Sequence, residues 1–162
     1  VPGIRLQTLM RKRLQALGGV YMLGDRVTGG KFDGEVLKSI STVNLGKDAL
    51  EADNFIIATG SFFGHGLKAL PQTVVEPVFG LDVDCKQDRA EWFERNLYAD
   101  QPYMSFGVKT DAKFHAMRGG RVVNNLYAVG SILGGCNALK EGSGAGVAIL
   151  SAMHVGGLIT GK

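Results

Sequence analysis

Glycine carries the most informative chemistry in this sequence, because it lets a backbone approach a ligand where any side chain would intervene. Two apolar runs end on it, Phe55-Ile56-Ile57-Ala58-Thr59-Gly60 and Leu126-Tyr127-Ala128-Val129-Gly130. Ligands of open parallel sheets sit just past the carboxyl ends of the strands, so both ends are candidate contacts; a plain tight turn would also call for glycine there. A third segment runs from Gly134-Gly135-Cys136-Asn137 through Lys140-Glu141 to Gly142-Ser143-Gly144-Ala145-Gly146-Val147 and closes on small residues at an expected helix start. Unpaired N–H groups and the positive dipole end at such a start favour a phosphate or a developing anion. The spacing is G-x-G-x-G, with Val147 where the dinucleotide fingerprint needs its last glycine. Close helix-to-sheet packing through Ala145, Gly146, Ala148, Ser151 and Ala152 would use the same small residues.

The titratable residues offer less. His65, in Gly64-His65-Gly66 after the first glycine-ended run, is the best placed of three histidines for acid–base work, whereas His154 on the apolar C-terminal helix reads as structural. Cys85 and Cys136 lie far apart, without C-x-x-C or metal-finger spacing, so a reducing cytoplasm is the simplest compartment and no metal site is expected. Neither a Ser-His-Asp order, a paired-carboxylate motif nor a phosphate-binding P-loop stands out.

The elements that must position these residues follow from periodicity. Ile4, Leu6, Leu9, Met10, Leu14 and Leu17 give an apolar stripe at helical spacing, stopped by Gly18-Gly19. Val20 to Leu23 then reads as a short strand. Between about 28 and 51, short β-like runs broken at Asp33-Gly34 and Asn44–Asp48 suggest an antiparallel meander inserted outside the core layers. The two glycine-ended runs read as buried parallel strands. A short helix is expected over Asp88–Leu97, and the remainder of 61–120 has little period. The closing helix spans about Gly142 to Ile159; the stretch to Gly161 has no formal charge, but its glycines, Ser143, Ser151, His154 and Thr160 make it a buried helix rather than a membrane span.

With 162 residues, 45% hydrophobic composition and two cysteines, the chain can bury one sizeable core without disulfide or metal staples. A net charge of +3 with a single cluster, Arg11-Lys12-Arg13, reads as a solvated helix face and excludes a nucleic-acid stripe. The start at Val1-Pro2-Gly3, without Met and already in helical period, suggests a piece of a longer protein.

Residues distributed over nearly the whole chain carry a family resemblance. Pro2-Gly3-Ile4-Arg5-Leu6-Gln7, Gly18-Gly19-Val20, Gly24-Asp25, Ala58-Thr59-Gly60-Ser61-Phe62-Phe63, Gly80-Leu81-Asp82-Val83, Asn125 through Gly135, and Gly142, Gly144 and Gly146-Val147 resemble the C-terminal part of the B subunit of bacterial anaerobic glycerol-3-phosphate dehydrogenase. The resemblance implies an α/β fold: a Rossmann-like flavoprotein half-fold whose parallel-strand core is interrupted by the small antiparallel meander. Residues 1–162 would be a single C-terminal fragment of a flavin-binding domain, with the glycine fingerprint in the preceding part.

It further implies a flavin, FMN in preference to FAD, lined by Thr59, Gly60, Ser61, Gly130 and Ser131, with Gly142, Ser143, Gly144 and Ala145 placing a helix dipole against the reduced ring. The reaction would be oxidation of glycerol 3-phosphate to dihydroxyacetone phosphate. The catalytic flavoprotein (A) and iron–sulfur (C) subunits of the same dehydrogenase would be partners, the iron–sulfur one holding the complex on the inner face of the cytoplasmic membrane and passing electrons to quinone. Lys109, Arg118 and Arg121 are the cations available for a substrate phosphate. Alternatives are a non-catalytic assembly subunit of that complex, or another flavin oxidoreductase of succinate or fumarate type; under each, the fragment alone is expected to be inactive.

Overall fold

The computed structural model describes residues 2–161. Helix α1 (Pro2–Ala16) forms where the apolar period is strongest, and Gly18, in the left-handed region at φ 84°, ends it while Gly19 N–H returns to the Leu14 carbonyl. No residue of α1 is buried, and Arg11, Lys12 and Arg13 face solvent. The strand expected over Val20–Leu23 does not form. Val20 and Leu23 are exposed and that segment has no strand alongside it, and a strand exists only through its neighbour's hydrogen bonds.

Strands β1 (Val27–Asp33), β2 (Val36–Thr42) and β3 (Ala49–Glu51) make an antiparallel sheet in chain order. The β1–β2 turn is Gly34-Glu35, with Gly34 at φ 58°, and Asp33 faces Val36 across it. This meander is not the peripheral insertion expected. Leu37 of β2 is fully buried in the main core, with Phe32 and Ile40 packed alongside.

Strand β4 (Phe55–Ile57) leads to a 3-10 turn (Phe62–Gly64) and the short antiparallel pairs β5 (Lys68–Ala69) with β6 (Val74–Val75), and β7 (Val83–Asp84) with β8 (Gly107–Val108). Between the latter two, the helix expected over Asp88–Leu97 contracts to a 3-10 turn, Arg89–Trp92. The buried Trp92 ring packs edge-on against Phe106 and its indole N–H donates to the Lys86 carbonyl (2.7 Å). Gln101 accepts from Glu94 N–H and donates to the carbonyls of Asn96 and Ala99, so the following backbone is held as a loop.

Strand β9 (His115–Arg118) and the long β10 (Arg121–Ala128) complete a sheet of order β4-β10-β9. A parallel core does not emerge among the described residues: β10 runs parallel to β4 but antiparallel to β9, every other strand pair is antiparallel, and the molecule is a mixed α/β structure with sheets of mixed orientation. Helices α2 (Ala138–Glu141) and α3 (Gly144–Thr160) close the chain. The buried helix expected there is covered on one side only: Ser151 and Val155 are buried, while Ile149, Leu150 and Met153 are exposed. No helix of the described residues is long and apolar enough to cross a membrane.

Asn125 joins the two larger sheets. Its Oδ1 accepts the Leu37 N–H (2.9 Å), and its Nδ2 donates to the carbonyls of Leu37 (2.8 Å) and Asp53 (3.1 Å). Replacing Asn125 by Ala strands both backbone groups of the fully buried Leu37, and should lower stability in urea denaturation by about 1–3 kcal/mol.

Candidate functional site

The parallel pair brings the two glycine-ended segments together. Phe55, Ile56 and Ile57 lie opposite Leu126, Tyr127 and Ala128, and Val129 N–H extends the ladder to the Ile57 carbonyl (3.0 Å). Both chains then turn through glycine in the left-handed region, Gly60 at φ 79° and Gly130 at φ 73°. A Cβ on Gly60 would stand 3.5 Å from the Ser131 Oγ, so the two strand ends are neighbours. The loop after Gly60 folds so tightly that a Cβ at Gly66 would overlap the Gly60 carbonyl oxygen, and one at Gly64 would come within 2.6 Å of the Thr59 oxygen.

Thr59 also lines a cavity of about 590 Å³ along β4, together with Ile56, Ala58, Arg26, His65 and Val78. The walls are largely apolar with a few polar groups, as in small-molecule sites. The other eight residues expected to contact cofactor lie outside this cavity. His65 is at its wall, itself in the left-handed region at φ 62° as the cap of the 3-10 turn.

Helix α3 is docked onto the second strand end by Ser151, for which the sequence suggests only packing. Its Oγ accepts the Gly130 N–H (2.9 Å) and donates to the Val147 carbonyl one turn back (2.6 Å), while Gly130 lies against Ala148. A serine bonding back to its own helix leaves no sequence signal of a second, distant partner. At the start of α3, Gly142 is in the left-handed region as the C-cap of α2, and Ser143 is the N-cap residue but makes no side-chain cap. Its hydroxyl donates instead to Glu141 Oε2 (3.1 Å). Gly144 and Ala145 are exposed and their first-turn N–H groups are uncapped, which suits an anionic group.

The remaining candidates have other duties. Arg118 lies over the Phe32 ring (4.4 Å) and donates to the Phe79 carbonyl, and Arg121 faces it across the β9–β10 hairpin, where the cavity is only about 30 Å³. His154 packs edge-on against Phe114. His115 contacts Asp111 through Nδ1 (2.8 Å) and lies against the Tyr127 ring. Burial alone would raise the Asp111 carboxyl, but the His115 ring and the N–H groups of His115 and Lys113 outweigh it and hold the carboxyl below its ordinary value of 3.8. Burial, and then the Glu141 carboxylate to which the thiol donates, push the Cys136 thiol up, away from the reactive thiolate.

The class is fixed by comparison: residues 1–147 match the FAD binding domain family, to which the chain belongs. Among curated proteins it is 41% identical over 153 residues to the B subunit of the anaerobic glycerol-3-phosphate dehydrogenase of Yersinia enterocolitica. It is 43% identical over 164 residues to the B subunit from Aliivibrio fischeri, and 44% over 154 residues to that of Vibrio vulnificus. These alignments cover 93–94% of this chain and 35–36% of each relative, so the chain spans about a third of the length of the relatives it matches. No solved structure gives a significant match.

The left-handed turns at Gly60 and Gly130, which carry no side chain, and the uncapped N–H groups at the α3 start are the kind of groups a flavin approached by backbone would use. The Asp111 pair gives a separate check on the hairpin beside β10. Because the folded carboxyl is depressed, its contribution is complete well above pH 3.8 and fades as pH falls below that value through the folded pKa. Asp111→Asn should therefore lower the thermal midpoint at neutral pH and flatten the acid-side fall in stability; a pH series of melts reads both.

Proposed function

We propose that this chain supplies one wall of a flavin site in an anaerobic glycerol-3-phosphate dehydrogenase, as the C-terminal part of its B subunit. The observation that carries this is the meeting of the two strand ends, Gly60 beside Ser131, at the edge of a cavity that Thr59 lines, in a chain of the FAD binding domain family. A Rossmann-like core fits the parallel pair of β4 and β10, with further strands supplied by the rest of a protein of the relatives' length. That addition would also account for the exposed apolar side of α3 and for Ile56, exposed between two buried neighbours on β4.

The residues that would hold the cofactor are Thr59, Gly60, Ser61, Gly130 and Ser131 through backbone and hydroxyl groups. Gly142, Ser143, Gly144 and Ala145 would present the positive helix end to negative charge. A flavin supplies two-electron oxidation of the secondary alcohol of glycerol 3-phosphate, giving dihydroxyacetone phosphate. FMN is the form we favour, as the resemblance to these B subunits implies. The partners are a catalytic flavoprotein subunit, and an iron–sulfur subunit that holds the complex at the inner face of the cytoplasmic membrane and passes electrons to quinone.

The test is to purify the full-length subunit with and without its partners, denature it and identify released flavin by absorbance and mass. Stoichiometric FMN in the lone subunit is expected. A complex whose flavin all belongs to the partner would overturn the proposal and leave this chain as an assembly element. Glycerol 3-phosphate should bleach the flavin of the whole complex; bleaching by a dicarboxylate alone would move it to the succinate or fumarate type.

A further inference from the structure

Helix α3 is held to the rest of the molecule at one polar point. Of its 17 residues only Ser151 and Val155 are buried. Among the described hydrogen bonds, the one from Gly130 N–H to Ser151 Oγ (2.9 Å) alone joins the helix to the strands or to the turns that follow them. Packing does not call for a hydroxyl here. Ala148 and Ala152 serve neighbouring positions of the same helix, and a serine that bonds back to the carbonyl four residues earlier, as Ser151 does to Val147 (2.6 Å), gains its helix little. What needs the oxygen is Gly130 N–H, the first amide beyond the parallel ladder. Val129 N–H still reaches the Ile57 carbonyl (3.0 Å), whereas the buried Gly130 turns away in the left-handed region and, without Ser151, would have no acceptor. The Gly130 carbonyl in turn takes Leu133 N–H (3.1 Å), which closes the 3-10 turn Gly130–Ile132 that carries Ser131.

One oxygen shared between the Val147 carbonyl and the strand end sets both the rise of α3 along its axis and its rotation about it. A slide toward the turn is blocked as well, since a Cβ on Gly130 would already touch Ala148 (3.8 Å). Ser151 comes about two turns of helix after Gly144, where α3 starts. A slip or rotation at Ser151 therefore moves the first-turn N–H groups of Gly144 and Ala145 relative to the neighbouring strand ends, Gly60 and Ser131. We propose that Ser151 is a positioning residue of the cofactor site: its hydroxyl locks the start of α3 and the Gly130-Ser131 turn into one unit, so that both meet the cofactor in a fixed relation. The proposal rests on the flavin reading above, and it adds a residue that acts through Gly130 rather than by contact.

The experiment uses the full-length subunit, deflavinated and titrated with FMN and with FAD, together with the two-electron potential of the bound flavin and a thermal melt. Ser151→Ala should weaken flavin binding about ten-fold, the effect of leaving one buried N–H without a partner. The reduced ring carries the negative charge that a helix start favours, so its binding should fall further; a further ten-fold lowers the potential by about 30 mV. Ser151→Thr keeps the oxygen and should restore both. Ser151→Cys, a weak acceptor of similar size, should fall between, and it gives the same reading if the alanine variant does not fold. Val155→Ala is the control: it opens a cavity on the same buried face of α3 one turn on, so it should lower the melting midpoint while affinity and potential stay parental. Parental affinity and potential in Ser151→Ala, or an equal loss of both in Val155→Ala, overturns the proposal. A parent subunit that takes up neither FMN nor FAD overturns the flavin reading and this one with it, whereas flavin held equally by parent and Ser151→Ala overturns this one alone.

Discussion

The structure depends on how one amide side chain treats a break in a strand. β10 pairs with β9 at Arg121 and Val122 and again at Tyr127, and between those points the register shifts. A buried backbone released from its ladder must find other partners. Asn124 N–H takes the Glu35 carbonyl (2.8 Å), and Asn125 completes both backbone groups of Leu37 while also holding Asp53. The break thus becomes the joint between the two sheets. Because Asp53 lies just before β4, the same amide ties down the entry to the strand whose far end is Gly60.

The site end of the molecule is set by backbone crossing backbone. A Cβ at Gly107 would overlap Leu133 and Gly134, and one at Gly66 would overlap Gly60, so β8 and the loop after β4 pass against the turns that follow the parallel strands. Gly134 N–H reaches the Val108 carbonyl (3.3 Å) and Gly135 N–H reaches the Ser105 carbonyl (2.8 Å). The loop around Asp100–Ser105 is therefore fastened to the same segment that leads into α2 and α3. Side chains longer than hydrogen would separate these layers.

What could be read from sequence is what local pattern encodes. The α1 stripe, the break at Asp33-Gly34, the two glycine-ended runs and the small-residue start of α3 each announce themselves over a few residues. The region 61–120 does not, because its order comes from side chains that serve distant backbone. Glu76, almost fully buried, accepts from Val78 (2.7 Å) and Phe79 (2.8 Å). Asp82 accepts from Gly119 (2.9 Å) and Gly120 (2.7 Å) in the β9–β10 turn. Nothing periodic marks such residues. Val20–Leu23 shows the opposite failure, a β-like composition with no neighbour to pair with. The pairing of Lys140 with Asp100 and the docking of Ser151 on Gly130 were likewise invisible, since each joins residues 21 to 40 positions apart.

The start of α3 owes its exposed N–H groups to one neighbouring carboxylate, that of Glu141. Ser143 stands where a hydroxyl would ordinarily accept from the first-turn N–H groups, a cap that contributes about 1 kcal/mol. Glu141 draws that hydroxyl away, and it does so while its other oxygen holds the Asn137 N–H that opens α2. The helix is left with exposed, uncapped N–H groups on glycine and alanine, and the stabilisation withheld there is available to a bound anion. A single carboxylate, by taking Ser143 and Asn137 as partners, thus holds the opening of α2 together and leaves the first-turn N–H groups of α3 bare.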